Sequence, residues 1–145
     1  MLHYETIPVT PFQQNCSIVW CDDSMKGAII DPGGDMPLLE DACRQLGVTL
    51  EQIWITHAHI DHVLGVSFFQ TEYKIPFCLH LKDKPLLDDA GNRAQVYGFP
   101  HYQAATVDQW ISETDRIQIG EFDISILFVP GHAPGHVAFY LANEG

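Results

Sequence analysis

The chain has 145 residues, 46% of them hydrophobic, which is long and apolar enough for one domain with a real core. Nineteen acidic residues against seven basic ones leave a formal charge of −12, a field that repels polyanions and makes nucleic acid a poor partner. No apolar run approaches a membrane span, and Met1-Leu2-His3-Tyr4-Glu5 has neither the basic start nor the apolar stretch of a signal peptide, so a cytoplasmic protein without membrane contact is expected.

In chain order, Gln14 to Trp20 and Gly27 to Asp31 read as two strands joined by the polar turn Cys21-Asp22-Asp23-Ser24. Asp31-Pro32-Gly33-Gly34-Asp35 breaks the second strand. Asp35 is placed to cap a helix through about Leu46, with Leu38, Leu39, Ala42, Cys43 and Leu46 at helical spacing and Gly47 ending it. The short apolar run Ile53 to Thr56 is the next strand. Strand, helix and strand in that order make a crossover unit, so the sheet should be partly parallel there. From Asp61 the pattern is helical again, with Val63, Val66, Phe69 and Tyr73 on one side, although Gly65 costs this helix about 1 kcal/mol against alanine. Phe77 to His80 reads as a strand and Pro85 to Asp89 as a short helix.

Residues 90–107 mix aromatics with small residues and show no clean period, which suggests a long loop, either functional or simply covering the core. Alternation from Glu121 to Val129 marks a half-buried strand with Phe122, Ile124, Ile126 and Phe128 on one face. Val137 to Leu141 is a further strand. Cys16, Cys21, Cys43 and Cys78 lack CxxC spacing and fit reduced core thiols better than bridges or a structural zinc site.

The chemistry concentrates at two strand ends. Thr56-His57-Ala58-His59-Ile60-Asp61-His62 packs three imidazoles and a carboxylate just past an apolar strand, where open α/β sheets place ligands. In extended backbone, His57 and His59 point the same way with Cα atoms roughly 6.5 Å apart, a span two ring nitrogens can close on one ion. Asp61 and His62, where the chain turns helical, aim at a neighbouring point, which suits two adjacent metals. The competing reading is a polar loop that happens to be rich in histidine. Against it stands the second strand end, Pro130-Gly131-His132-Ala133-Pro134-Gly135-His136. On this tight loop His132 supplies a third nitrogen for the first ion.

Three histidines and one water make an open, catalytic kind of zinc site, and the second ion would sit beside it on Asp61 and His62. Such a pair would deliver hydroxide at neutral pH and steady a tetrahedral oxyanion without a serine or cysteine nucleophile, so His57, His59 and Asp61 are the candidate catalytic residues. Imidazole-rich ligation favours Zn2+, while the carboxylate leaves iron or manganese open. Asp31 either accepts an N–H from a liganding histidine or only opens its turn. His136 is open in the same way, and the apolar run around His80 favours a structural role. His101 and Tyr102 have a location in the irregular loop and nothing more, and His3 is a weaker candidate still.

The Thr56–His62 motif, the Asp31-Pro32-Gly33-Gly34 turn and Gly131-His132-Ala133-Pro134-Gly135-His136, in that order and separation, resemble the metallo-β-lactamase fold superfamily, and within it the glyoxalase II-like branch, from Asn15 to Leu141. The resemblance implies a four-layer αββα sandwich of the α/β class with metal at one end of its two sheets. It assigns His57, His59 and His132 to a first metal and Asp61 with His62 to a second, and it implies hydrolysis of a thioester such as a hydroxyacylglutathione. Tyr97-Gly98-Phe99-Pro100 resembles small bacterial members without a separate glutathione-binding domain. The resemblance also calls for a bridging aspartate and a further histidine, which the sequence does not supply by Gly145. The expectation is therefore a single domain whose second half is incomplete, with an exposed edge and a tendency to form homo-oligomers. Other hydrolases of lactams, lactones or phosphodiesters, and a non-catalytic metal-binding fragment, are the alternatives.

Overall fold

The computed structural model describes residues 2–9, 14–98, 102–112, 114–120, 122–128 and 137–140. A six-stranded sheet runs in sequence order: β1 (Leu2–Val9), β2 (Gln14–Cys21), β3 (Lys26–Ile30), β4 (Thr49–Trp54), β5 (Phe77–His80) and β6 (Gln109–Ile111). β1 to β3 pair antiparallel, while β3 to β6 are parallel, with α1 (Met36–Leu46) as the crossover between β3 and β4. Parallel pairing brings the carboxyl ends of β3, β4 and β5 to one edge of the sheet. A second, three-stranded antiparallel sheet holds β7 (Arg116–Ile119), β8 (Phe122–Phe128) and β9 (Val137–Tyr140).

Strand alternation gives the first sheet two apolar faces. Ile29, Ile53, Phe77 and Leu79 pack with Leu39, Cys43, Val66, Phe69, Ala90 and Ala94 from the helices. On the opposite face, Ala28, Trp54 and Cys78 meet Ile117, Ile119, Ile124, Ile126 and Val137 of the second sheet. Each fully buried large side chain of this kind is worth about 1.5–3 kcal/mol, so the two cores hold helices, sheet and sheet as stacked layers. The outer face of β8 presents Asp123 and Leu127 to solvent, and among the described residues no helix covers it. The layers also meet directly, because the Val137 N–H donates to the Thr56 carbonyl at 2.8 Å.

Several sequence expectations need correction. Residues 90–107 are not one irregular loop: α5 (Ala90–Val96) occupies the start, buried through Ala90 and Ala94. Alanines four apart face the core without the bulk that makes a helical period visible in sequence. The helix read from Asp61 is two, α2 (Ile60–Val63) and α3 (Val66–Tyr73), parted at Gly65. There the Gly65 N–H donates to the Pro32 carbonyl at 2.7 Å, and a Cβ would lie 2.6 Å from that oxygen, so glycine lets the chain seat against the turn after β3. Asp35 occupies the N-cap of α1 but makes no side-chain cap bond; its φ is 54°, and its carbonyl receives Leu38 and Leu39. β4 starts at Thr49 and ends at Trp54, leaving Ile55 and Thr56 in the connection that follows. β1, β6 and β7 were not anticipated: β1 is a largely exposed edge strand containing Pro8, and β6 and β7 are too short to show a period. α4 (Lys84–Asp88) falls one residue ahead of its expected span, after a 3-10 turn at Leu81–Asp83.

Candidate metal centre

Asp31, the Thr56–His62 loop and Asp83 come from the carboxyl-end edge of β3, β4 and β5 respectively. The imidazoles of the loop gather: the His57 and His59 rings are 4.8 Å apart at 85°, and the His57 and His62 rings 4.0 Å apart at 52°. His57 is 5% exposed. Of the other expected ligands, Asp61 has its backbone in α2, but its side chain lies outside the described residues, as do His132, His136 and His101.

Asp31 both opens its turn and works at the site. Its left-handed φ of 55° bends the chain into Pro32, a conformation an aspartate tolerates better than most residues. That bend presents a buried carboxylate to the loop. Oδ1 accepts the Thr56 N–H at 2.7 Å; Oδ2 accepts the Thr56 hydroxyl at 2.6 Å and the His62 Nδ1–H at 2.9 Å. With its proton committed to Asp31, the Thr56 oxygen accepts the His57 Nδ1–H at 3.0 Å. Because a carboxylate can only accept, this chain of bonds assigns a proton to Nδ1 of both His57 and His62, and each ring in its neutral form then carries its lone pair on Nε2. The Gln14 amide nitrogen, 3.3 Å from His62 Nδ1, cannot donate to a nitrogen already carrying a proton and is a neighbour rather than a partner. Imidazoles whose Nδ1 is held by a carboxylate or hydroxyl offer Nε2 as the kind of donor that zinc, iron and manganese accept, so the residues fit such a metal.

Asp83 holds the loop from the other flank. Fully buried, it accepts the Ala58 N–H at 2.8 Å through Oδ2. Sequence reading missed it and gave Thr56 no role of its own. Thr56 adjoins the histidine motif and could have been found; Asp83 looks like an ordinary helix cap ahead of Lys84-Pro85.

The remaining candidates have local explanations. His80 is buried, and its Nδ1 accepts the Lys82 N–H at 3.1 Å, in keeping with a structural role. His3 stacks on Trp20 and pairs with Asp22 at 3.0 Å. Cys21, Asp22 and Asp23 bring donor atoms within 4.8 Å of one another on the far turn, but Cys21 is buried and Asp22 is engaged with His3. All four cysteines are free and buried. Burial, followed by the charge of Asp31, pushes the Cys16 thiol well above its ordinary range, so it stays protonated beside the site and offers no thiolate ligand.

Comparison with known proteins follows this geometry. A Haemophilus influenzae protein named hydroxyacylglutathione hydrolase GloC is 37% identical over 140 residues, which cover 95% of this chain and 66% of that protein. A Bacillus subtilis protein named probable metallo-hydrolase YqgX is 32% identical over 98% of this chain and 67% of its own length. The chain thus spans about two thirds of the length of these curated relatives. Among solved structures, a BLEG-1 B3 metallo-beta-lactamase superposes with a TM-score of 0.86 at 32% identity, covering 98% of this chain and 68% of that one. TTHA1623, in a di-iron-bound form, gives 0.83 at 30% identity over 97% of this chain and 68% of its own. The family model described as the metallo-beta-lactamase superfamily matches residues 9–145, nearly the whole length, and with the shared fold this establishes that the chain belongs to the metallo-beta-lactamase superfamily of hydrolases.

Proposed function

We propose that the chain is a metal-dependent thioesterase acting on a hydroxyacyl thioester of glutathione. His57, His59 and His132 would hold one ion, and Asp61 with His62 a second; zinc is the first choice on ligand chemistry and iron the second. The observation that carries the proposal is the Asp31–Thr56 network, which engages Nδ1 of His57 and His62, so that Nε2 is the donor each ring would offer a metal. A metal bound there would acidify water to a pKa near 7 and polarise the thioester carbonyl. Asp31 and Thr56 orient the imidazoles, and the loop's backbone keeps them at the carboxyl end of β4. The name of the Haemophilus influenzae relative, matched over 95% of this chain, supports the glutathione thioester as substrate class. The charge of −12 disfavours the phosphodiester alternative. Four reduced thiols favour the cytoplasm as its compartment. On this reading the chain acts as one domain.

The test is thiol release from a hydroxyacylglutathione by the metal-loaded protein, with and without chelator, alongside His57→Ala and His59→Ala. Turnover should disappear with chelation and in both variants. Hydrolysis that survives either would refute the assignment.

A further inference from the structure

Asp83 stands at the N-cap of α4, immediately before Lys84-Pro85, where an aspartate ordinarily satisfies the first backbone N–H groups of its helix. It makes no such bond. Its side chain is completely buried and instead accepts the N–H of Ala58, the residue between His57 and His59. Burying a carboxylate costs several kcal/mol unless hydrogen bonds offset it, so diverting this one from its own helix to a neighbouring loop calls for a reason at the loop.

The position of that loop supplies the reason. Asp31 grips the N–H of Thr56 from the β3 side, and Asp83 grips the N–H of Ala58 from the β5 side. His57 is therefore flanked by two backbone amides, each tied to a buried carboxylate from a different neighbouring strand. Its χ angles start from a backbone that cannot slide along the sheet edge, and His59 follows directly from the second tie. Asp31 also bonds side chains of the loop, and Asp83 bonds its backbone at Ala58.

We propose that Asp83 is a positioning residue for the histidine pair: its carboxylate oxygen, acting as an acceptor for the Ala58 N–H, sets the spacing of His57 and His59 for a divalent cation. The proposal rests on the metal-site reading above. It differs from that reading in naming a residue outside the histidine motif that acts on the pair through the Ala58 backbone.

The experiment measures cation affinity of the full chain by chelator competition and records the Co2+ absorption spectrum, for the parent, Asp83→Ala and Asp83→Asn. Asp83→Ala should weaken affinity 10–100-fold and shift the Co2+ bands, the range seen when groups supporting metal ligands are removed. Asp83→Asn, which keeps an acceptor oxygen, should bind within about threefold of the parent, a rescue that generic destabilisation would not give. A folded Asp83→Ala that binds within twofold of the parent overturns the proposal, and so does an Asp83→Asn as weak as Asp83→Ala. Should Asp83→Ala fail to fold, an amide-to-ester replacement at residue 58 deletes the N–H while leaving Asp83 in place. It must reproduce the loss, and unchanged affinity there overturns the proposal as well. A parent that binds no cation defeats the metal-site reading itself and this inference with it; a parent that binds while the variants are indistinguishable from it defeats the inference alone.

Discussion

Replacing Asp31 with asparagine changes one atom's chemistry at the centre of the network. The carboxylate accepts three bonds, from the Thr56 N–H at 2.7 Å, the Thr56 hydroxyl at 2.6 Å and His62 Nδ1–H at 2.9 Å. An amide that keeps its oxygen toward the Thr56 N–H turns its NH2 toward the other two donors. The hydroxyl can rotate and accept. His62 can accept only by moving its proton from Nδ1 to Nε2, which removes the lone pair that Nε2 would offer a cation. All three charge-assisted bonds of about 1.5–3 kcal/mol give way to neutral ones of about 0.5–1.5 kcal/mol, so the metal-free chain should lose about 3–4.5 kcal/mol. Metal affinity should fall 10–100-fold. Urea melts of the metal-free protein read the first effect, chelator competition the second, and 15N chemical shifts of the His62 ring report the tautomer directly. An Asp31→Asn protein that keeps His62 as the Nδ1–H form and binds metal within twofold of the parent would refute the reasoning.

Phe69→Ala removes a ring that is completely buried between α3 and the first sheet, 5.3 Å from the Tyr73 ring; a loss of about 3–5 kcal/mol is expected, seen as a drop in Tm of roughly 10 °C. Gly27→Ala places a Cβ 2.3 Å from the Val19 carbonyl and 2.9 Å from Val48 Cγ1, so β2 and β3 must part beside the irregularity in the β3–β4 pairing; thermal melts should show about 1–3 kcal/mol of destabilisation, and an unchanged Tm would contradict the close approach. Burial raises the Cys43 and Cys78 thiols to about 11 from the ordinary 9.0. Between those values the folded chain keeps protons that the unfolded chain gives up, so this contribution to stability is complete below about pH 9 and is lost as pH rises toward 11. Tm should decline more steeply over that window in the parent than in a Cys43→Ala, Cys78→Ala double variant, and parallel slopes would count against it.

The parts of the fold that sequence made legible are those where side-chain bulk alternates or recurs. Ile124 and Ile126 face inward and Asp123 and Leu127 outward, so β8 could be read almost to its ends. β5 was read to the residue because all four of its side chains are buried. α5 was hidden because alanine contributes shape without hydrophobic weight, and β1 because an exposed edge strand has little apolar pattern to show. At the site, the histidines announced themselves by their density. Thr56 and Asp83 act through hydrogen bonds whose partners lie across strand connections, and a one-dimensional pattern carries no trace of such pairings. Asp31 fell between these cases: its turn chemistry was visible, while the three donors it collects depended on β3 and β4 lying side by side.

The bond from the Val137 N–H to the Thr56 carbonyl has a consequence for how the two sheets behave as a unit. Thr56 serves both layers, handing its N–H and hydroxyl to Asp31 in one and its carbonyl to β9 in the other. The histidine loop is thus a rivet through the seam, and the sheets cannot shear past each other without pulling on the residue next to His57. A cation that binds only the folded loop tightens the rivet by mass action. Amide exchange at Val137, which ligates nothing, then becomes a gauge of occupancy, slowing as the neighbouring imidazoles fill.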